Sequence, residues 1–300
     1  MKQRNTVLLI GFFLLFTVPT IHAGEVITDG ERLWAKQAIE QEQALEGAPA
    51  SNTVAVLTFG NPSADPGLVP LQKGFAYLLM TDLSQVQGLT VVERVRIQAL
   101  LEELKLGASG LVDEASAPRV GRLSGAGYLV GGDLSGKDRA GLSVSSDVLQ
   151  VKDQSSLGRP SADGALEQVF ELEKKILFEV VDLLKIKLSK KERESLKRPL
   201  TTSYQALIYL SMGLDASDRG NYTRADLFYR KALALDPQFS PAARAREELQ
   251  ALRLVPVNPQ AFAILARQEE QNSSTDSLSK DDSTFREFKP ATTGQIRVTW

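Results

Sequence analysis

Two kinds of apolar pattern alternate along the first half of the chain. Thr53 to Phe59 (TVAVLTF) is short, nearly continuous and rich in β-branched residues, the form of a central strand buried on both faces. Leu89 to Glu93 (LTVVE), Tyr128 to Leu134 (YLVGGDL) and Gly141 to Val151 read as further strands. Helices are expected at Leu68–Val86 and at Arg94–Leu106, where Ile97, Leu100, Leu101 and Leu104 share one face, with a shorter one at Ala117–Ser124. Upstream, TDGE (Thr28–Glu31) has the form of a capping box. It opens a helix carrying Leu33, Trp34, Ala38, Ile39 and Leu45, which Gly47-Ala48-Pro49 ends. The order β-α-β-α-α-β-β predicts an α/β domain, a mixed sheet flanked by helices.

The second half is helical. Leu166 to Leu188 is a long amphipathic stretch, followed by the charged linker LSKKERESLKR (Leu188–Arg198) and Pro199. The segment Ala206–Phe239 reads as helix–turn–helix. Gly213 allows close helix approach, Gly220 ends the first helix, and Tyr222 starts the second with Ala225, Tyr229 and Ala232 on one face. Pro237 closes the unit, because proline cannot continue a helix. Further helices are expected at Pro241–Leu254 and Pro259–Glu270. From Gln271 to Pro290 the chain is too polar to bury a core, and GQIRVTW (Gly294–Trp300) alternates like a strand. The expected organisation is a signal peptide (1–23), an N-terminal helix (24–50), the α/β domain (51–188), a linker (189–202), a small all-α module (203–270), a disordered linker (271–293) and a C-terminal strand (294–300).

The N-terminus limits the setting. Lys2 and Arg4 precede an apolar run from Val7 to Val18, and Ile21-His22-Ala23 supplies a small-residue exit. Cleavage of a secretory signal is expected after Ala23. The chain has no cysteine, so disulfides and lipid attachment through a cysteine after the leader are excluded. Its one histidine, His22, lies in the segment expected to be removed. Histidine- and cysteine-based triads, histidine–zinc sites and thiolate catalysis therefore drop out, while carboxylate and lysine chemistry remain. Losing Lys2 and Arg4 moves the net charge from −2 to about −4, against nucleic-acid binding.

Candidate chemistry is sparse. The loop Gly60–Gly67 lies beyond the end of a strand but lacks the GK[ST] of a phosphate-binding loop, and its prolines remove amide donors. It reads as a connection or a partner contact. Gly125, Gly127, Gly131 and Gly132 precede or lie within a strand, the wrong context for a dinucleotide fingerprint. Glu93, Arg94, Glu102 and Glu103 read as helix caps and surface ion pairs. In the helical unit, Leu207, Leu210, Leu214 and Ser217 form the candidate partner-binding set. Its leucines either bind an apolar peptide or pack on the helix at 166–188. No catalytic, cofactor-binding or metal-binding residue is assigned.

The helix–turn–helix resembles a tetratricopeptide repeat, with Met212 and Ala216 as departures, and such repeats hold peptides and proteins. The region Thr53–Lys187 resembles the α/β domain shared by curli-type secretion channel (CsgG) proteins and the amino-terminal domain of TolB. The resemblance is carried by Val54–Phe59, Gly74, Leu83, LTVVERVRIQALLEEL (Leu89–Leu104), Gly121, Gly125, YLVGGDLSG (Tyr128–Gly136) and the helix around Phe170–Leu184. It implies a non-catalytic, periplasmic adaptor in envelope assembly or secretion, acting on envelope or secretion proteins. The alternative is an oligomeric accessory ring subunit of an outer-membrane apparatus. A pore is not expected, because the segments that would build a membrane barrel are too short and too polar. Direct membrane insertion after signal cleavage is likewise not expected.

Overall fold

The computed structural model describes residues 24–42, 50–106, 116–137 and 141–256, together with positions 260, 264 and 267. The expected signal peptide, the polar stretch 271–293 and the strand at 294–300 lie outside the described residues.

The α/β unit begins with α1 (Asp29–Glu40), whose cap is the expected box: the Thr28 side chain and Glu31 satisfy each other's backbone N–H groups. There follow β1 (Ala50–Val56), α2 (Val69–Leu83), β2 (Thr90–Val91), α3 (Arg94–Glu103), α4 (Ala117–Ser124), β3 (Ala126–Lys137) and β4 (Gly141–Gln150). The sheet runs β2-β1-β3-β4, with β1 parallel to both β2 and β3, and β3 antiparallel to β4. Two strands add to β4 that the sequence reading does not contain, β5 (Ser155–Gly158) and β6 (Ser161–Ala165), both antiparallel to it.

Side chains of β1 alternate between two cores, which makes it central. Val54 and Val56 meet Phe75, Leu79, Val130, Val144, Ile176 and Val180 beneath α2 and α5 (Val169–Leu183). Ala55 and Leu57 meet Ile97, Leu101, Val120 and Leu129 beneath α3 and α4. Outside α3, α1 contributes Ala35 to a cluster with Val95, Ala99, Leu100 and Leu123. The result is a mixed sheet flanked by helices, the fold class expected.

The long helix is shorter than its apolar pattern. A 3-10 turn at Leu166–Gln168 leads into α5, which ends at Leu183. The charged linker holds a helix, α6 (Lys190–Leu196), opened by Ser189 and Glu192 as a capping box and anchored by buried Leu196. The helical region is α7 (Tyr204–Asp218), α8 (Tyr222–Leu235) and α9 (Ser240–Ala251). Positions 260, 264 and 267 are helical; the rest of the expected last helix lies outside the described residues.

The helical region shares its apolar contacts with the α/β unit. Leu207 and Ile208 of α7 join the core of α2 and α5, while Ala206, Leu210 and Leu214 join Tyr229, Phe239 and Leu249 of the helical cluster. Gly74 of α2 makes this possible: a Cβ there would lie 2.1 Å from Ser211 Oγ and 3.2 Å from Leu207 Cδ1. Gly213 serves the neighbouring contact, since its Cβ would lie 2.3 Å from the Tyr229 ring.

Gly74→Val is expected to lower stability by about 1–3 kcal/mol through overpacking of the α2–α7 crossing. Urea unfolding measures this; an unchanged midpoint would mean that the close approach carries no weight.

Candidate functional site

The densest polar feature lies where α7 and α9 meet α2 and α3. Arg94 is the first residue of α3 and Asp218 the last of α7, so the two helix ends bring opposite charges together across the contact. Arg94 Nη1 lies 2.9 Å from Asp218 Oδ1, and Lys73 Nζ from α2 lies 3.0 Å from Asp218 Oδ2 and 2.8 Å from Asp215 Oδ1. The Asp218 side chain is 1% exposed and that of Arg94 14%. The cations sit at the C-terminal end of α7, where the helix dipole adds to their attraction.

A strap from the N-terminus, Gly24–Ile27, completes this seam. Arg94 Nη2 donates to the Glu25 carbonyl at 2.6 Å, and Tyr77 Oη of α2 donates to Glu25 Oε1 at 2.5 Å. Arg244 Nη2 of α9 donates to Tyr77 Oη at 3.3 Å. The strap's backbone is held in turn by α9: Glu25 N donates to Glu248 Oε2 at 2.6 Å and Val26 N to Glu248 Oε1 at 3.3 Å. Burial pushes the Glu25 carboxyl up, opposed by Arg94 and the Tyr77 hydrogen bond. Burial also pulls the Arg94 guanidinium down, but Asp218 and Glu25 outweigh it and leave Arg94 more firmly charged than usual. A cavity of about 20 Å³, room for roughly one water molecule, adjoins Lys73, Tyr77 and Arg94.

A second buried group ties α5 to α2. Lys174 bridges Asp82 and lies 3.3 Å from Glu173, both carboxylates being almost fully enclosed. Desolvation, then the neighbouring charge of Asp82, pushes Glu173 up to about 8. In the helical region, buried Asp226 takes Arg230 at 2.6 Å and Arg246 at 3.0 Å, joining α8 to α9. These three clusters are structural in form: Asp218 and Asp226 each take two cations from neighbouring elements or helical turns, and Asp82 and Glu173 share Lys174.

The four residues of the candidate partner-binding set lie inside the protein. Leu207, Leu210 and Leu214 are fully buried and Ser217 is 3% exposed. They do not line an open groove, because α2 and the helical core fill the space. The leucines pack inward, one of the two expected alternatives; α7 lies mainly on α2, and Leu207 shares its core with α5 of the 166–188 segment. Arg94 is the other correction. It reads as a surface charge in sequence and is buried at the centre of the seam, while Glu93 and Glu102 do pair at 3.6 Å with Arg96 and 3.4 Å with Arg32. The sequence carries one signal for the seam: Lys73 and Tyr77 interrupt the apolar surface of α2 one turn apart.

The remaining candidates are structural. The Gly60–Gly67 loop closes on itself, Asn61 Nδ2 donating to the Asp65 carbonyl at 2.7 Å and Gly67 N to Asp65 Oδ1 at 2.9 Å. Gly131 and Gly132 lie within β3. No cluster of metal-ligating side chains occurs among the described residues, and no described helix is long and apolar enough to cross a membrane.

On the outer side of α7 and α8, exposed Lys231 and half-buried Arg224 cover an aromatic pair, half-buried Tyr209 and buried Phe228. The Tyr209 and Phe228 rings stack at 6.3 Å. Lys231 lies over both, at 5.5 and 5.7 Å, and Arg224 over Phe228 at 5.6 Å.

Arg94→Met, which leaves Asp218 with Lys73 alone and removes the donor to the Glu25 carbonyl, is expected to cost about 3–5 kcal/mol, read by chemical denaturation. A loss below 1 kcal/mol would mean that Lys73 alone suffices. Glu173 keeps its proton in the folded state up to about pH 8 and in the unfolded state only to about 4.5, so its contribution is full below pH 4.5 and fades as pH rises to 8. Glu173→Gln should therefore gain on the natural protein over that interval in urea melts at pH 5 and pH 8. A constant difference would contradict the buried, protonated carboxyl.

Comparison with known proteins agrees with the architecture of the sheet unit. Residues 35–145 match the family described as "Curli production assembly/transport component CsgG". No curated protein matches the chain. Among solved structures, the LpoB C-terminal domain from Salmonella enterica is 14% identical with a TM-score of 0.32, the overlap covering 44% of this chain and 98% of that one. The LpoB C-terminal domain from Escherichia coli gives 16% identity and 0.33, covering 46% of this chain and 99% of that one. TolB from Acinetobacter baumannii gives 18% and 0.31, covering 46% of this chain and 30% of that one. With identities and TM-scores this low these are partial likenesses, and the family match is the stronger finding: the chain carries a CsgG-like α/β region, with a helical region joined to it through a buried ionic seam.

Proposed function

We propose that this protein is a non-catalytic adaptor of the bacterial cell envelope, acting in the periplasm through protein contacts within an assembly or secretion complex. The observation that carries the reading is the match of residues 35–145 to a family described as an assembly and transport component. The leader-like N-terminus, with its positive start, apolar run and small-residue exit, supports export.

The contact surface is the outward face of α7 and α8. With the leucine face of α7 packed on α2 and Phe228 buried in the helical core, the helical region offers exposed Lys231, half-buried Arg224 and the open edge of half-buried Tyr209. Aromatic and arginine side chains are enriched at interface centres. Their positive rim suits a partner presenting carboxylates.

Crosslinking in intact cells, followed by purification of the mature protein, tests this directly. An envelope-assembly or secretion component should be captured, and a double charge reversal, Arg224→Glu with Lys231→Glu, should reduce capture by about tenfold or more while leaving thermal stability within a degree or two. Undiminished capture would move the contact elsewhere on the molecule. Crosslinks only between copies of this chain would replace the adaptor reading with an oligomeric one.

A further inference from the structure

The strap enters the seam immediately after the bond at which the sequence expects a leader to be removed. Glu25, Val26 and Ile27 are 5%, 2% and 3% exposed. A peptidase takes its substrate as an extended segment reaching several residues to either side of the bond it cuts. The expected bond lies one residue before the buried strap, so its cleavage leaves the new end at the seam.

Glu248 of α9 is the group that meets the new end. Its two oxygens accept from the N–H groups of Glu25 and Val26, and among the described residues it takes part in no side-chain ion pair. Gly24 stands directly against it: a Cβ on Gly24 would lie 3.1 Å from Glu248 Oε1. With the residue's own nitrogen about 2.5 Å from that Cβ position, the Gly24 nitrogen is within roughly 5–6 Å of the carboxylate before any adjustment. A residue with a side chain would crowd Glu248, whereas glycine lets the backbone come up to it. The other ionisable groups facing the strap and Glu248 are Glu31 of α1, Tyr77 of α2, Arg94 of α3, Asp218 of α7, Tyr229 of α8 and Arg244 of α9.

Resting on the reading of an exported protein whose leader ends at Ala23, we infer that the freed α-amino group of Gly24 pairs with Glu248 and fastens α9 to the α/β unit. In the step, water adds across the peptide bond under an endopeptidase of the signal-removing class. The leader keeps the Ala23 carboxylate and Gly24 gains an ammonium. The ammonium adds a second cation to Glu248, on which the Arg94 charge already acts, in a site half-buried and shielded from salt. Maturation and closure of the seam are then one event. An uncleaved chain has a neutral amide at the same place and a looser α9.

The sign of the pH dependence follows. A free α-amino group titrates near 7.7–8.0, and pairing with Glu248 raises it in the folded state. Its stabilisation is full below about pH 7.7 and is lost as pH climbs through the raised value.

The test compares the mature chain starting at Gly24 with the same chain acetylated on the Gly24 nitrogen, each also as Glu248→Gln. At pH 7 the free-amine chain should melt about 2–4 °C higher. The gap should close in Glu248→Gln and at pH 10.5. Equal melting temperatures in the natural sequence, or a gap that survives Glu248→Gln, would overturn the pairing. Mass spectrometry of the exported protein should find Gly24 as the first residue, and any other terminus would overturn the processing site.

Discussion

The ionic contacts that fix the helical region on the sheet unit centre on the carboxylate of Asp218. It stands at the end of α7, almost without solvent contact, between Arg94 of α3 and Lys73 of α2. Burying an ion costs several kcal/mol, which attraction to partners recovers only with good geometry. A buried carboxylate held by two cations therefore does less for total stability than an apolar contact of the same size would. What it contributes is specificity: α7 can settle on α2 and α3 in one register, because any other leaves charges unpaired in a dry contact. The apolar fit of Leu207 and Ser211 over Gly74 supplies the attraction, and the ions fix where it acts.

That arrangement changes what the helical region can be used for. A helical hairpin of this kind cannot bury its own inner face, and here α2 covers it. The leucines that look like a peptide groove in sequence are core residues, so charged substitutions at Leu207 or Leu214 would report on folding before they reported on binding. Function is left to the outer surfaces, which a locked seam holds at a fixed disposition to the sheet unit. Fixed disposition suits a scaffold, since two contact surfaces on one firmly joined body bind a pair of partners with less loss of freedom than two surfaces on a flexible tether.

The elements most legible in the sequence are those with strong local signals. TVAVLTF reads as a buried strand and its first four residues lie in β1, Ala117–Ser124 is the helix expected there, and the Thr28–Glu31 box caps α1 as written. The strands β5 and β6 were not legible, because SSLG and SADGA lack both β-branched residues and apolar alternation and exist only by pairing with β4. Helix α6 hid beneath its own charge, although Ser189 and Glu192 spelled out its capping box. The seam was the least legible part. Arg94 meets an acid 124 positions away, and the strap meets α9 from 223 positions away. No local pattern encodes either pairing; only the fold brings the partners together.

The central claim is that strap, sheet unit and helical region open as one. Native-state hydrogen exchange of the mature protein, resolved to peptides, tests it most directly. The account predicts that amides of α2, α3, α7 and α9, together with those of Glu25 and Val26, share a common opening free energy close to that of global unfolding. Exchange of α7 to α9 that runs orders of magnitude faster than that of β1 and β3 would contradict it, and would mean two independently stable units lying side by side.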